Sequence, residues 1–249
     1  MSNKIVDIQD LKREFKMGDQ VVKALKGVSF SVETGEFVTI MGSSGSGKTT
    51  LLNILGCLDK PSNGTYLLDG IDVGKLSRNA LATLRNQKIG FVFQSYNLLA
   101  RTTAMENVEL PLLYNPSISA AQRHERAVKA LKAVKLDHRL DHLPNQLSGG
   151  QQQRVAIARA LVNEPVMILA DEATGNLDSR TSYEIMALIQ ELNQQGKTIV
   201  FVTHEPDIAA FSSRTITLKD GKIVKDEPNR SVRSAKEMLA ALPVGDEAI

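Results

Sequence analysis

The chain has 249 residues, with 30 Lys and Arg against 28 Asp and Glu and a net charge of +2. That length suits one large α/β domain or a domain with a subdomain, and the balanced charge argues against nucleic-acid binding through a broad basic face. The one cysteine, Cys57, excludes an intrachain disulfide, fits a reducing compartment and, beside Leu55 and Leu58, reads as a buried, inert thiol. The first ten residues lack an apolar h-region, so no signal peptide is expected. No apolar run approaches the about 20 residues of a membrane span, so work at a membrane would need another chain to do the spanning.

Residues 4–40 read as short strands. Val28 to Val32 alternates apolar and polar, as a half-buried strand does. Thr34-Gly35-Glu36 is a turn, and the apolar run through Met41 leads into a Gly-rich segment. Leu51, Leu52, Ile54, Leu55 and Leu58 then recur at helical spacing. Residues 64–73 resemble a hairpin piece, and Ile89 to Phe93 is a buried strand ending at Gln94. Residues 105–143 carry helix formers and many charges, with a helix start at Ser119. Val166 to Asp171 and Thr198 to Thr203 are continuous apolar strands of the kind found in parallel sheets covered on both faces. A helix from about Ser179 to Gln195 supplies the crossover. Thr215 to Asp226 is a hairpin turning at Asp220-Gly221, and the stretch after Pro228 reads as a helix and a loose tail.

With the Gly-rich segment at 42–49 fitting G-x-x-x-x-G-K-[ST], the expected architecture is α/β: a P-loop NTPase core with a mostly parallel sheet, an N-terminal antiparallel β subdomain and an inserted helical subdomain. As one domain, 4–94 and 162–226 form the α/β core with its β subdomain, 95–161 the helical subdomain, and 227–249 a C-terminal extension.

Gly42-Ser43-Ser44-Gly45-Ser46-Gly47-Lys48-Thr49 fits G-x-x-x-x-G-K-[ST] between a strand and a helix, the context of a P-loop. Successive backbone N–H groups and a helix N-terminus cradle phosphates there. Lys48 supplies charge to the β/γ-phosphates and Thr49 a hydroxyl to Mg²⁺, with Thr50 next in the cradle. An isolated Asp-Glu pair reads as solvated loop acids. After a P-loop and an apolar strand, Asp171 is placed to hold Mg²⁺ and Glu172 to polarise the attacking water. Gln94 and His204 also end apolar strands and are expected to point at the same crevice.

The set formed by residues 42–49, Gln94, Leu147-Ser148-Gly149-Gly150-Gln151, Asp171-Glu172, Asp178 and His204 resembles the nucleotide-binding domains of ATP-binding cassette (ABC) transporters over residues 4–226. The stretch 147–161 is the most specific part. The resemblance implies an ATPase that forms an ATP-dependent, head-to-tail homodimer. The P-loop of one subunit would face Ser148, Gly149, Gly150 and Gln151 of the other across Mg-ATP. It further implies Glu172 as catalytic base, His204 as γ-phosphate sensor, Gln94 as Mg²⁺ and water contact, Asp178 as communicator between sites, and Phe15 as the ring that stacks on adenine. Tyr is usual at that last position and Pro is usual at Ala173, so both are departures; little change in hydrolysis is expected from Ala173→Pro.

Residues 56–64, 89–99 and 103–112 are similar to the macrolide-export and lipoprotein-releasing group. The expectation is a peripheral ATPase on the cytoplasmic face of the plasma (inner) membrane, bound to an integral membrane permease, with Ser95 to Ala100 receiving a permease helix and no nucleic acid bound. It would drive export or mechanical work on extracytoplasmic substrates. The alternatives are a permease-associated regulatory ATPase without transport, and a soluble ABC ATPase of translation or repair.

Overall fold

A computed structural model describes residues 3–243. In chain order, the first strands are β1 (Lys4–Met17), β2 (Gln20–Glu33) and β3 (Phe37–Met41), followed by α1 (Lys48–Leu55), β4 (Asn63–Leu68) and β5 (Ile71–Asp72). Next come α2 (Arg78–Lys88), β6 (Ile89–Phe93), α3 (Ala104–Glu109), α4 (Ala120–Ala133) and α5 (Gly149–Leu161). The chain continues through β7 (Met167–Asp171), α6 (Ser179–Gln194), β8 (Thr198–Thr203), α7 (Pro206–Ala209), β9 (Arg214–Lys219), β10 (Lys222–Pro228) and α8 (Ala235–Ala241).

The strands make two sheets. One is antiparallel, ordered β2-β1-β4-β5; the other is ordered β10-β9-β3-β8-β7-β6, parallel except for the β9–β10 hairpin. This is the α/β fold expected, with one difference in its opening. Residues 4–33 form two fourteen-residue strands, where the sequence suggested shorter ones. The β1–β2 register shifts around Ile8–Leu11 and again at Arg13–Glu14. Asp10 (φ 46°) and Gly27 (φ 94°) sit together there in left-handed conformations. Each bulge resets which residues face inward, so the period-2 signal breaks while the strand continues.

The parallel strands are buried on both faces, which explains their unbroken apolar runs. In β8, Ile199 and Phe201 join the core formed with α5 and α6, while Val200 and Val202 join the core formed with α1 and the antiparallel sheet. α3 and α4 pack against α5 between β6 and β7 in chain order, with Met105, Val108, Leu131 and Val155 in their shared interior. Ser119 accepts from the Gln122 N–H and Gln122 from the Ser119 N–H, so α4 begins where its sequence signal lies. α2 had no clear signal: its pattern is polar, and only Leu81 and Leu84 are buried. Of the C-terminal stretch, α8 packs on α6; the expected tail at 244–249 lies outside the described residues.

Candidate active site

Strand register assembles the site. Met41 pairs with Thr203, Val202 with Asp171, and Asp171 with Phe93. The carboxyl ends of β3, β8, β7 and β6 therefore lie in one row, and the residues that follow each strand meet above it, as ligand-binding residues do in open α/β sheets. The cleft they line has a volume of about 1160 Å³. Its walls include Gly42, Ser43, Ser44, Gly45, Gly47, Lys48, Thr49 and Thr50 from the Gly-rich loop, with Gln94, Asp171, Glu172 and His204 from the other strand ends.

Gly45 and Gly47 have φ of 76° and 104°, values that suit glycine. A Cβ on Gly47 would also lie 2.8 Å from the Ala24 carbonyl oxygen. Ser46 is buried and does not line the cleft; its N–H donates to the Ser43 carbonyl, and its own carbonyl accepts from the Gly221 N–H. The loop is thus pinned to the β9–β10 turn. Lys48 Nζ donates to the carbonyls of Gly42 (2.6 Å) and Ser43 (2.9 Å), which holds its charge at the mouth of the loop.

Opposite stand two carboxylates. Burial, and then the charge of neighbouring Glu172, push the Asp171 carboxyl above its ordinary value, while Lys48 opposes this. Glu172 has φ 45°, unusual for a residue with a side chain. Its N–H donates to the Val202 carbonyl and its carbonyl accepts from the Gly175 N–H, both at 2.9 Å. Its Oε1 lies 2.7 Å from His204 Nδ1. A carboxylate only accepts, so Nδ1 carries the proton in this pair. Gln94 is held reciprocally: its Nε2 donates to Asn176 Oδ1 (3.1 Å), and Asn176 Nδ2 donates to the Gln94 carbonyl (3.2 Å). Asn176 lies in the stretch that leads to Asp178, and its pairing with Gln94 was not expected from the sequence.

Thr49, Gln94 and Asp171 all line the cleft, and they bring a hydroxyl, an amide oxygen and a carboxylate. These hard oxygen donors suit Mg²⁺, an ion bound through one or two carboxylates together with substrate phosphates. Among the described residues no cluster of three or more His, Cys, Asp or Glu forms an all-protein metal cage.

The remaining predicted residues lie elsewhere. Ser148, Gly149, Gly150 and Gln151 open α5 outside the cleft. Ser148 and Gln151 form a capping box, while the N–H groups of the two glycines belong to the first turn, which has no intrahelical partners. Asp178 caps α6: it accepts from the Thr181 N–H (2.9 Å) and from the Thr181 hydroxyl (2.6 Å), which hold its carboxyl below the usual range. The Thr181 methyl in turn crowds Gly150. Phe15 is exposed on β1, with the Arg13 guanidinium 4.4 Å from its ring centre. Arg13 is itself fixed by two bonds to Asp59. Phe15 does not line the cleft, but its cross-strand partner Val22 does.

Residues 25–175 match the family model described as ABC transporter. The chain is 51% identical to an uncharacterized ABC transporter ATP-binding protein of Bacillus subtilis, YvrO, over 90% of this chain and 97% of that protein. It is 50% identical to the macrolide export ATP-binding/permease protein MacB of Brucella melitensis over 94% of this chain, and it spans 36% of MacB's length. Among solved structures, the dimeric post-hydrolysis state of the ATP-binding cassette MJ0796 bound to ADP and Pi superposes with a TM-score of 0.81 at 49% identity, covering 90% of this chain and 99% of that one. MJ0796 is a protein of Methanocaldococcus jannaschii.

Proposed function

The chain belongs to the ABC transporter family and is an ATPase cassette, and from this we propose that two copies close around two ATP molecules to drive a separate membrane permease. The observation that carries this reading is the convergence of Lys48, Glu172, His204 and Gln94 on one cleft, with Glu172 and His204 2.7 Å apart.

In this reading the loop 42–50 cradles the phosphates and Phe15 stacks on adenine. Thr49, Gln94 and Asp171 would hold Mg²⁺, which would supply charge neutralisation at the phosphates. Glu172 takes a proton from water as the water oxygen attacks the γ-phosphorus and the bond to the bridging oxygen of ADP breaks. His204 holds that carboxylate through Nδ1, which leaves Nε2 to sense the γ-phosphate. Catalysis is positioning and charge stabilisation.

Ser148, Gly149, Gly150 and Gln151 complete the partner subunit's site. The free N–H groups and positive end of a thirteen-residue helix suit a γ-phosphate. Asp178 communicates between the sites through Thr181. The division of labour follows the domain plan: 4–94 with 162–226 hydrolyse ATP, 95–161 carry the signature helix and the permease contact, and 227–249 form an extension.

The permease reading draws on MacB, whose name joins an ATP-binding part to a permease part. Among the described residues no helix is long and apolar enough to cross a membrane. We place the chain at the cytoplasmic face, driving export or mechanical work on extracytoplasmic substrates.

The test is Glu172→Gln. It should bind ATP as the native chain does, lose at least about 100-fold in turnover, and co-purify with one integral membrane protein from detergent-solubilised membranes in Mg-ATP. Turnover near wild type would remove the base assignment. Recovery of only soluble partners would remove the permease reading and leave the ATPase intact.

A further inference from the structure

We propose that Gln153 is a positioning residue for hydrolysis, whose buried amide fixes the loop carrying Glu172 to the strand end carrying Gln94 and ties both to helix α5. The inference rests on the assignment of Glu172 as base. Gln153 is fully buried in α5, where the positions that follow it, Val155 to Ala158, are buried and apolar. Its Nε2 donates to the Ala173 carbonyl at 2.7 Å and, more weakly, to the Phe93 carbonyl at 3.4 Å. Ala173 follows Glu172 in the chain, and Phe93 precedes Gln94.

The other end of the same amide, Oε1, is buried with no hydrogen-bond partner among the described residues. An apolar side chain of equal volume would spare that oxygen but leave the buried Ala173 carbonyl without its 2.7 Å donor. What the amide provides is a hold on two carbonyls. That hold matters here because Glu172 sits at φ 45°, a conformation that persists only where its surroundings enforce it. Glu172 has its own N–H tied to Val202 and its own carbonyl tied to Gly175. Gln153 supplies the anchor at the next carbonyl, and from a different layer of the fold. Base placement within a fraction of an ångström governs rate, so loosening this anchor should act on turnover and leave nucleotide affinity alone. The bond also links the two catalytic loops to the helix whose first turn carries Gly149 and Gly150.

The experiment compares the full chain with Gln153→Met, which keeps the volume and removes the donor. ATP affinity and KM should stay within about twofold of wild type while kcat falls about tenfold. Backbone hydrogen exchange should quicken at 171–176 and stay unchanged in α1. Gln153→Asn keeps an amide one methylene short of the Ala173 carbonyl, should shift kcat and exchange in the same direction, and serves if the Met variant does not fold. Wild-type kcat in a folded variant, or unchanged exchange at 171–176, would overturn the proposal. Glu172→Gln measured alongside separates the two failures. If that variant turns over, the base assignment falls and this proposal with it. If it is inactive while the Gln153 variants keep wild-type kcat, only the positioning role falls.

Discussion

Asp171 and Lys48 show at the residue scale how the site is assembled against the preference of its own groups. The Asp171 carboxyl is raised by burial and by Glu172, so ionising it costs the folded state. A raised folded value means the penalty is absent below the ordinary carboxylate range and grows as pH rises through it. Asp171→Asn should therefore raise the thermal midpoint at about pH 7.5, by about 2–4 °C for each kcal/mol relieved, and change it little at about pH 4. Scanning fluorimetry at the two pH values checks this, and hydrolysis should be lost in the same variant. Lys48→Ala removes the one charge that opposes the shift and the cation at the mouth of the phosphate loop. It should abolish measurable ATP binding in titration calorimetry; retained tight binding would count against the loop's role. Cys57 is the contrasting case. Burial pushes its thiol up to about 11, with nearby Arg85 opposing, so a thiol reagent at neutral pH should label the chain only after denaturant is added.

At the scale of elements, α5 is the part on which most of the site depends. Its start is set by the Ser148–Gln151 capping box, and Ser148→Ala should cost about 1 kcal/mol of stability, visible in urea unfolding. Its packing on β6 is set by Gly90, where a Cβ would lie 2.3 Å from the Ala160 carbonyl oxygen. Gly90→Ala must push the helix off the strand, an overpacking cost of about 1–3 kcal/mol. Turnover should fall with it, since the same helix carries Gln153 and the signature glycines. α5 also reaches the loop after Gln94: Arg159 donates to the carbonyls of Tyr96 and Asn97, both in left-handed conformations. α6 adds a second capped start at Asp178. The lowered carboxyl there stabilises the fold above its ordinary range, and that contribution is lost as pH falls through the lowered value.

On the scale of the whole molecule, Gly149 and Gly150 open a helix outside the cleft that holds Lys48 and Glu172, and we propose that a second copy brings the two halves together. Glu172→Gln should elute from a sizing column as a dimer with Mg-ATP and as a monomer without it, and Ser148→Arg should abolish the shift. Much of this arrangement was legible in the amino-acid order. The phosphate loop, the apolar strands and the polar residues ending them are local patterns, because strand burial and turn chemistry are written within a few residues of each other. The Ser119 helix start was legible for the same reason. Two long bulged strands were read as short ones, since each bulge resets the inward face. α2 was missed because only two of its residues reach the core. Gln153 and Arg159 lie within the specific stretch 147–161, yet their roles, like that of Asn176, were not legible locally, since each derives its role from a carbonyl or amide brought to it by a distant strand or loop. The sequence by itself determined the chemistry available: a phosphate cradle, two carboxylates, a histidine and a Ser-Gly-Gly-Gln segment. Only the tertiary structure decided which of these share a cleft, because that depends on parallel strand register and on side-chain bonds between segments far apart in the chain.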